Sequence, residues 1–341
     1  MLSLLLTTTI LLTPQWVLQN SGTKARLRGI SAVSERIAWA SGAESTVLRT
    51  ADGGKTWQKL SVATDTLDFR DIDAINSRIA YVLSIGNGPA SRIYKTIDGG
   101  KTWELQFKNE DPKAFYDAMA FWDANHGIVI GDSIDGQLCI MTTENGGRTW
   151  KRVPGSALPP ALENEGAFAA SGTNIALAGK THAWIGTGAA SKARVLRTTD
   201  RGVTWKVNNT PLVAGSSSGI FSIAFRDLQH GIVVGGDYRK EKEAIDNLAI
   251  TRDGGASWTL MQGLSGYRSA VAYVPITSSS TPMLVAVGPS GTDYSTDDGQ
   301  TWQAINGPGF DTLSFARTEN KGRPVGWAAG AEGMIGKWTL R

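Results

Sequence analysis

The chain has one cysteine, Cys139, so an intrachain disulfide and a cysteine-based metal site are both excluded. Cys139 lies in the apolar run Leu138-Cys139-Ile140-Met141, where a buried strand thiol is expected. Histidine is nearly as scarce: His126, His182 and His230 are scattered, too few and too far apart for a metal-ligand spacing. Two of them recur in matching contexts, Asn125-His126-Gly127-Ile128-Val129 and Gln229-His230-Gly231-Ile232-Val233, which reads as a repeated turn. Charge of one sign is also missing. Thirty-four basic and 31 acidic residues leave a net +3, too mild to imply nucleic acid or a membrane surface as partner. No segment reads as a long helix, and no dinucleotide-binding glycine pattern lies between a strand and a helix. The one early apolar run, Met1 to Leu12, is too short to span a bilayer. It resembles the core of a secretory signal without the basic start, so residues 1–13 read as a signal peptide or an apolar N-terminal segment, and export to the periplasm or outside the cell is expected.

What the chain does contain is a repeated turn. An eight-residue box, [Ser/Thr]-x-[Asp/Asn]-x-Gly-x-[Thr/Ser]-Trp, occurs six times, ending at Trp57, Trp103, Trp150, Trp205, Trp258 and Trp302. Successive tryptophans are 46, 47, 55, 53 and 44 residues apart, a period that marks one repeated supersecondary unit. Asp52, Asp98, Asn145, Asp200, Asp253 and Asp297 stand at the third position. A short polar side chain that bonds its own backbone, beside glycines that accept positive φ, is the chemistry of a tight hairpin. Six equivalent copies argue for six turn clasps, and against metal ligation or acid catalysis.

Each box follows two or three strand signals, such as Leu27–Val33, Ile37–Gly42 and Thr46–Arg49 in the first unit. A further strand starting at each tryptophan gives four antiparallel strands per repeat, the composition of a propeller blade. After the sixth box three strand signals remain, and Trp16-Val17-Leu18-Gln19 precedes the first unit as Trp57-Gln58-Lys59-Leu60 precedes the second. The expected fold is therefore all-β: residues 14–341 as one seven-bladed β-propeller whose last blade is closed by the N-terminal strand, with Lys337-Trp338 as a degenerate seventh box. Ser278-Ser279-Ser280 reads as a polar loop.

The box is that of the Asp-box, or BNR, repeat shared by sialidases, xyloglucanases and sortilin-type receptors. From Trp16 onward the chain resembles the photosystem II stability/assembly factor family. The segments Glu165–Thr173 and Gly131–Gly136 are similar to its broad bacterial branch. The resemblance implies a non-catalytic, monomeric binding scaffold without cofactor. Its expected partner is a protein or peptide, with a membrane-protein subunit as the family's own kind of partner and carbohydrate as the alternative.

If the boxes mark one face, function belongs on the other, where loops enter the first strands and join the second to the third. Candidate binding residues there are Arg28, Arg70, Asp71, Tyr116, Asp117, Asp132, Glu163, Glu165, Asp237, Tyr238 and Arg268, with Asp135 and Arg239 nearby. Arginines in such a ring suit bidentate contact with anionic groups. The competing reading is a glycoside hydrolase of sialidase-like or xyloglucanase-like type, with Tyr116 and Glu165 cast in catalytic roles. Leu27-Arg28-Gly29-Ile30 is only a partial echo of the sialidase Phe-Arg-Ile-Pro motif, and the chain has residues for one propeller.

Overall fold

Seven four-stranded antiparallel sheets form the protein in a computed structural model that describes residues 13–276, 281–316 and 323–340. The apolar run 1–12 and the Ser278–Ser280 loop lie outside the described residues. Blade 1 is Leu27–Ala32, Ala38–Gly42, Thr46–Thr50 and Gln58–Leu60, in that order across the sheet, and blades 2 to 6 repeat it. The first strand of each blade packs against the first strand of the next all the way round, so these strands line the centre of the ring. Apolar side chains fill the spaces between blades: Trp39, Phe69 and Val82 join blades 1 and 2, and Tyr81, Phe121 and Met141 join blades 2 and 3.

Blade 7 combines Thr312–Phe315, Gly326–Ala329 and Ile335–Leu340 with Pro14–Gln19 from the N-terminus. Val17 faces Lys337 as Gln58 faces Arg49 in blade 1, so Trp16 stands at the register of a box tryptophan. Gln19 fastens the seam. Its carbonyl oxygen accepts from the indoles of Trp57 and Trp327, both at 3.2 Å, and its amide donates to the Gly53 carbonyl at 3.3 Å. Lys337-Trp338 is not a seventh box. Both residues lie inside the third strand, and Trp338 takes the register of the first box residue, Thr50, edge-on against Trp16 at 5.0 Å.

Every box sits between the third and fourth strands, and the fourth strand begins one residue after the tryptophan, at Gln58 in blade 1. The backbone frees the indole there to pack against the preceding blade, as Trp103 does edge-on against Trp39 at 6.1 Å. In blade 1 the Thr50 hydroxyl accepts from the Gly54 amide at 2.8 Å and donates to Asp52 at 2.9 Å. The other Asp52 bonds come from the Thr56 amide at 3.0 Å and the Thr56 hydroxyl at 2.7 Å. The pattern recurs at Asp98, Asp200, Asp253 and Asp297, and at Asn145 the amide group donates to Thr149 instead. The second box glycine is needed twice over. Gly100 has φ 89°, and a side chain there would meet Leu60 and Trp39 of the neighbouring blade. His126 and His230 cap matching turns on this same face through Asp123 and Asp227, each at 2.9 Å.

Candidate functional site

The ring centre is divided by one segment. Gly166 to Thr173, just before blade 4, reaches residues of all six other blades, Thr173 donating to Ser222 of blade 5 at 2.7 Å, which it can do only by lying across the middle. Arg28 of blade 1 donates to the Ala170 carbonyl at 3.3 Å, and Arg70 of blade 2 to the Ala169 carbonyl at 3.0 Å. The Ala169 amide favours the charged form of Asp117 in blade 3. Ser171 donates to the Ser269 carbonyl of blade 6 at 2.7 Å, and Thr312 of blade 7 donates back to Ser171 at 2.9 Å. This plug leaves two dead-end cavities. A well of about 600 Å³ opens beside the boxes over Ser171, Gly172 and Thr173, and a crater of about 720 Å³ opens on the opposite face over Ala167 to Ala170.

The crater's chemistry comes from backbone irregularities. The pairing register shifts between Leu27 and Gly29, Phe69 and Asp71, Tyr116 and Ala118, Gly131 and Ser133, and Ile220 and Ser222. The residues left over at these β-bulges are Arg28, Arg70, Asp117, Asp132 and Phe221, and all five line the crater. A bulge inserts an unpaired residue and re-aims its side chain, which is how strands that otherwise bury both faces present polar groups to the channel. Phe221 forms an aromatic floor with Phe168, stacked at 3.9 Å and 7°, and Tyr267 stands edge-on at 4.7 Å. Tyr238, half open to solvent, leans over both phenylalanines at 6.2 and 6.3 Å.

The charged groups divide the crater into two sectors. On one side, Arg26 grips Asp311 with a two-pronged pair at 2.7 and 2.8 Å, and Arg28 lies 3.9 Å from the same carboxylate. Burial lowers the Arg28 pKa despite Asp311. Arg70 is steadied by Asp68 at 2.8 Å. The acidic sector adjoins this basic one on blade 3 and holds Asp117 and Asp132. Burial pushes Asp117 well above the carboxylate range, with the Asp132 charge adding to it. Burial likewise pushes Asp132 up to about 6, against a backbone interaction from Ala167.

Several candidate residues are not placed at this surface. Asp71 follows its bulge and points sideways, accepting from the Met119 amide of blade 3 at 2.7 Å, which stitches two first strands together. Tyr116 is buried between blades, edge-on to Phe107 at 5.5 Å, and burial pushes its hydroxyl up to about 12. Arg268 is fully buried, paired with Asp293 and donating to the Tyr267 carbonyl at 2.8 Å. Glu165 does reach the crater lining, but its carboxylate is buried and filled, accepting from Thr187 at 2.6 Å, from the Leu162 amide at 2.9 Å and from two nitrogens of Arg194. It anchors the start of the plug. Glu163 is exposed outside the crater lining, and Asp237 caps its own turn by accepting from the Arg239 amide at 2.9 Å. Sequence reasoning missed Arg26, Asp311, Phe168, Phe221 and Tyr267. Only Phe168 carried a signal, inside the Glu165–Thr173 segment.

The BNR/Asp-box repeat model matches residues 293–304, the sixth box. No curated protein sequence matches the chain significantly. Among solved structures, YCF48 bound to D1 peptide is similar with a TM-score of 0.64 and 16% identity, over 96% of this chain and 97% of that one. YCF48 from Cyanidioschyzon merolae gives 0.63 and 16%, over 94% and 98%. An ancestral GH74 enzyme gives 0.65 and 15%, over 94% of this chain but 46% of the enzyme. At such identities the likeness establishes the fold alone.

Proposed function

We propose that this Asp-box β-propeller is a binding scaffold that receives an extended peptide segment of a partner protein in the crater opposite its boxes. One observation carries the reading: five residues from four blades, each on its own β-bulge, converge on a single aromatic-floored cavity. Bulges cost ladder hydrogen bonds, so their convergence on one open cavity is a feature of a site. Arg28 and Arg70 each give one amino group to the plug and turn toward the lumen, where they suit carboxylates or backbone carbonyls. The aromatic floor offers flat apolar contact at little entropic cost. YCF48, captured with a D1 peptide, supports a peptide or protein as the kind of partner. We further read the protein as an exported monomer, with a membrane-protein subunit among the candidate partners.

Affinity capture from the native envelope fraction tests this, with an Arg28→Ala/Arg70→Ala double variant as control. The expected result is a protein retained by the unmodified chain, lost by the variant and displaced by a linear peptide of its own sequence. Equal capture by both proteins would remove the crater from the argument. The glycoside hydrolase reading has the Asp117 and Asp132 carboxyls in its favour, and release of xyloglucan or sialic acid fragments by the purified protein would select it.

A further inference from the structure

Among the described residues five carboxyls are buried: Asp71, Asp117, Glu165, Asp293 and Asp311. Three have a cation of their own, in Arg194, Arg268 and Arg26 respectively for Glu165, Asp293 and Asp311. Asp71 is satisfied by the Met119 amide. Asp117 differs from all four. Its Oδ2 is buried without a hydrogen bond, and the charge that acts on it is that of a second carboxyl, Asp132. Two other aspartates with such an oxygen, Asp68 and Asp298, each hold an arginine. A buried carboxylate without a cation is costly, because desolvation is not repaid by any attraction. Both Asp117 and Asp132 line the crater, beside Ser133 and Asn164, whose side-chain oxygens are further acceptors.

We propose that the Asp117–Asp132 corner is a receptor for a primary ammonium group, supplied by the bound peptide as a lysine side chain or a free N-terminus. The inference rests on the peptide-scaffold reading and adds a charge requirement to it. A compact ammonium carries three donors. The Asp117 and Asp132 carboxyls, with Ser133 and Asn164 oxygens in the same lining, supply acceptors for such donors. Arg28 and Arg70, on blades 1 and 2 of the same crater, repel a cation from their own sector, so a bound peptide is oriented as well as held. No three metal-ligating side chains gather at this corner among the described residues.

The probe is n-propylammonium, followed through the Ala167 and Ala169 amide NMR signals of the full chain near pH 7.5. Saturable shifts are expected, with n-butanol silent at the same concentration. Asp117→Asn and Asp132→Asn keep the shape and remove the charge, and together they should weaken binding at least about tenfold. The unmodified protein offers an independent readout. Binding should fall as pH drops through about 6, where Asp132 takes up its proton. The groups that share its surroundings are Asp117, the Cys139 thiol, Glu165 in its arginine pair, and Arg28 and Arg70 of blades 1 and 2. Two peptides separate the sources, acetyl-Ala-Lys-Ala-amide and Ala-Ala-Ala-amide, and acetyl-Ala-Ala-Ala-amide should not bind. Shifts equal to those from n-butanol, binding retained in the double variant, or an affinity flat between about pH 5 and 8 would overturn the assignment. Protein capture that persists while propylammonium leaves no trace sinks this inference alone. Ammonium binding with no captured partner sinks the scaffold reading alone.

Discussion

The two mouths of this propeller use the same residue type in opposite ways. On the box face, the Thr56 hydroxyl and amide hold Asp52 down to about 2, and the Thr102 amide and hydroxyl do the same for Asp98. On the crater face burial drives Asp132 up to about 6 and Asp117 well above the carboxylate range. An aspartate whose acceptors are filled by its own turn prefers charge and has nothing left to offer. One placed on a bulge, facing a cavity, is poorly satisfied and available. The pKa shifts of clasp and crater aspartates thus run in opposite directions, although burial alone also raises Asp71 in the wall. Stability follows in opposite directions. A clasp aspartate binds protons less readily folded than unfolded, so its contribution is present above the unfolded value near 3.8 and is lost as pH falls toward about 2. Asp132 binds protons more readily when folded, so stability falls as pH rises from the same value through about 6.

The sharpest division lies within the crater face itself, between wall and lumen. Arg268→Ala would leave Asp293 buried without its cation, a change that costs about 3–5 kcal/mol. Arg28→Ala gives up one 3.3 Å bond and a long contact to Asp311, which Arg26 still neutralises, so about 1 kcal/mol is expected. Urea denaturation of the two variants measures both. Comparable losses would mean that Arg28 belongs to the wall, and the lumen would then lose its basic sector.

Charge in the lumen should come at the expense of stability. Asp132→Asn removes the charge and retains the shape, so it should stabilise the protein above about pH 7 by on the order of 2 kcal/mol, and leave it unchanged near pH 4. Thermal unfolding across that range is the check. A variant less stable than its parent at both ends would show that Asp132 holds the plug through its acceptor alone, and the contrast between the two mouths would weaken.

The architecture was legible because its signals are local. The box residues, a glycine at a positive φ and a tryptophan three residues after the glycine whose amide the clasp hydroxyl accepts each act within one turn, and their period counts the blades. Even the closing strand could be read, from Trp16 standing where Trp57 stands. The seventh box could not, since Trp338 resembles a box tryptophan in sequence but occupies the place of a threonine. The site was legible only in part, for a physical reason. Position near the start of a first strand is visible in the sequence, but whether a side chain enters the channel depends on a bulge of one residue. Arg70 and Asp71 are adjacent, and the bulge sends one to the crater and the other into the neighbouring blade. Arg28 and Arg268 look alike in sequence, yet only the first sits on a bulge, and Asp293 lies at the strand position that captures the second.

The smallest expected effect concerns the clasps, and blade 7 sets its size. That blade pairs its outer strands with Trp338 where the others carry the clasp hydroxyl, so aromatic packing and the ladder suffice to close a blade without an Asp-box. Thr50→Val keeps the volume of a buried side chain and removes the acceptor of the Gly54 amide, together with one of the bonds to Asp52. The two Thr56 bonds to Asp52 survive, and so does the Trp57 bond to Gln19. A loss of about 1 kcal/mol is therefore expected, the usual cost of losing a hydroxyl that caps a backbone amide, with crater chemistry untouched. Equilibrium denaturation gives the first quantity, and the Asp132 titration midpoint reports the second. A shift of that midpoint would show that the clasps govern the far mouth through the blade, and structure and site would no longer divide by face.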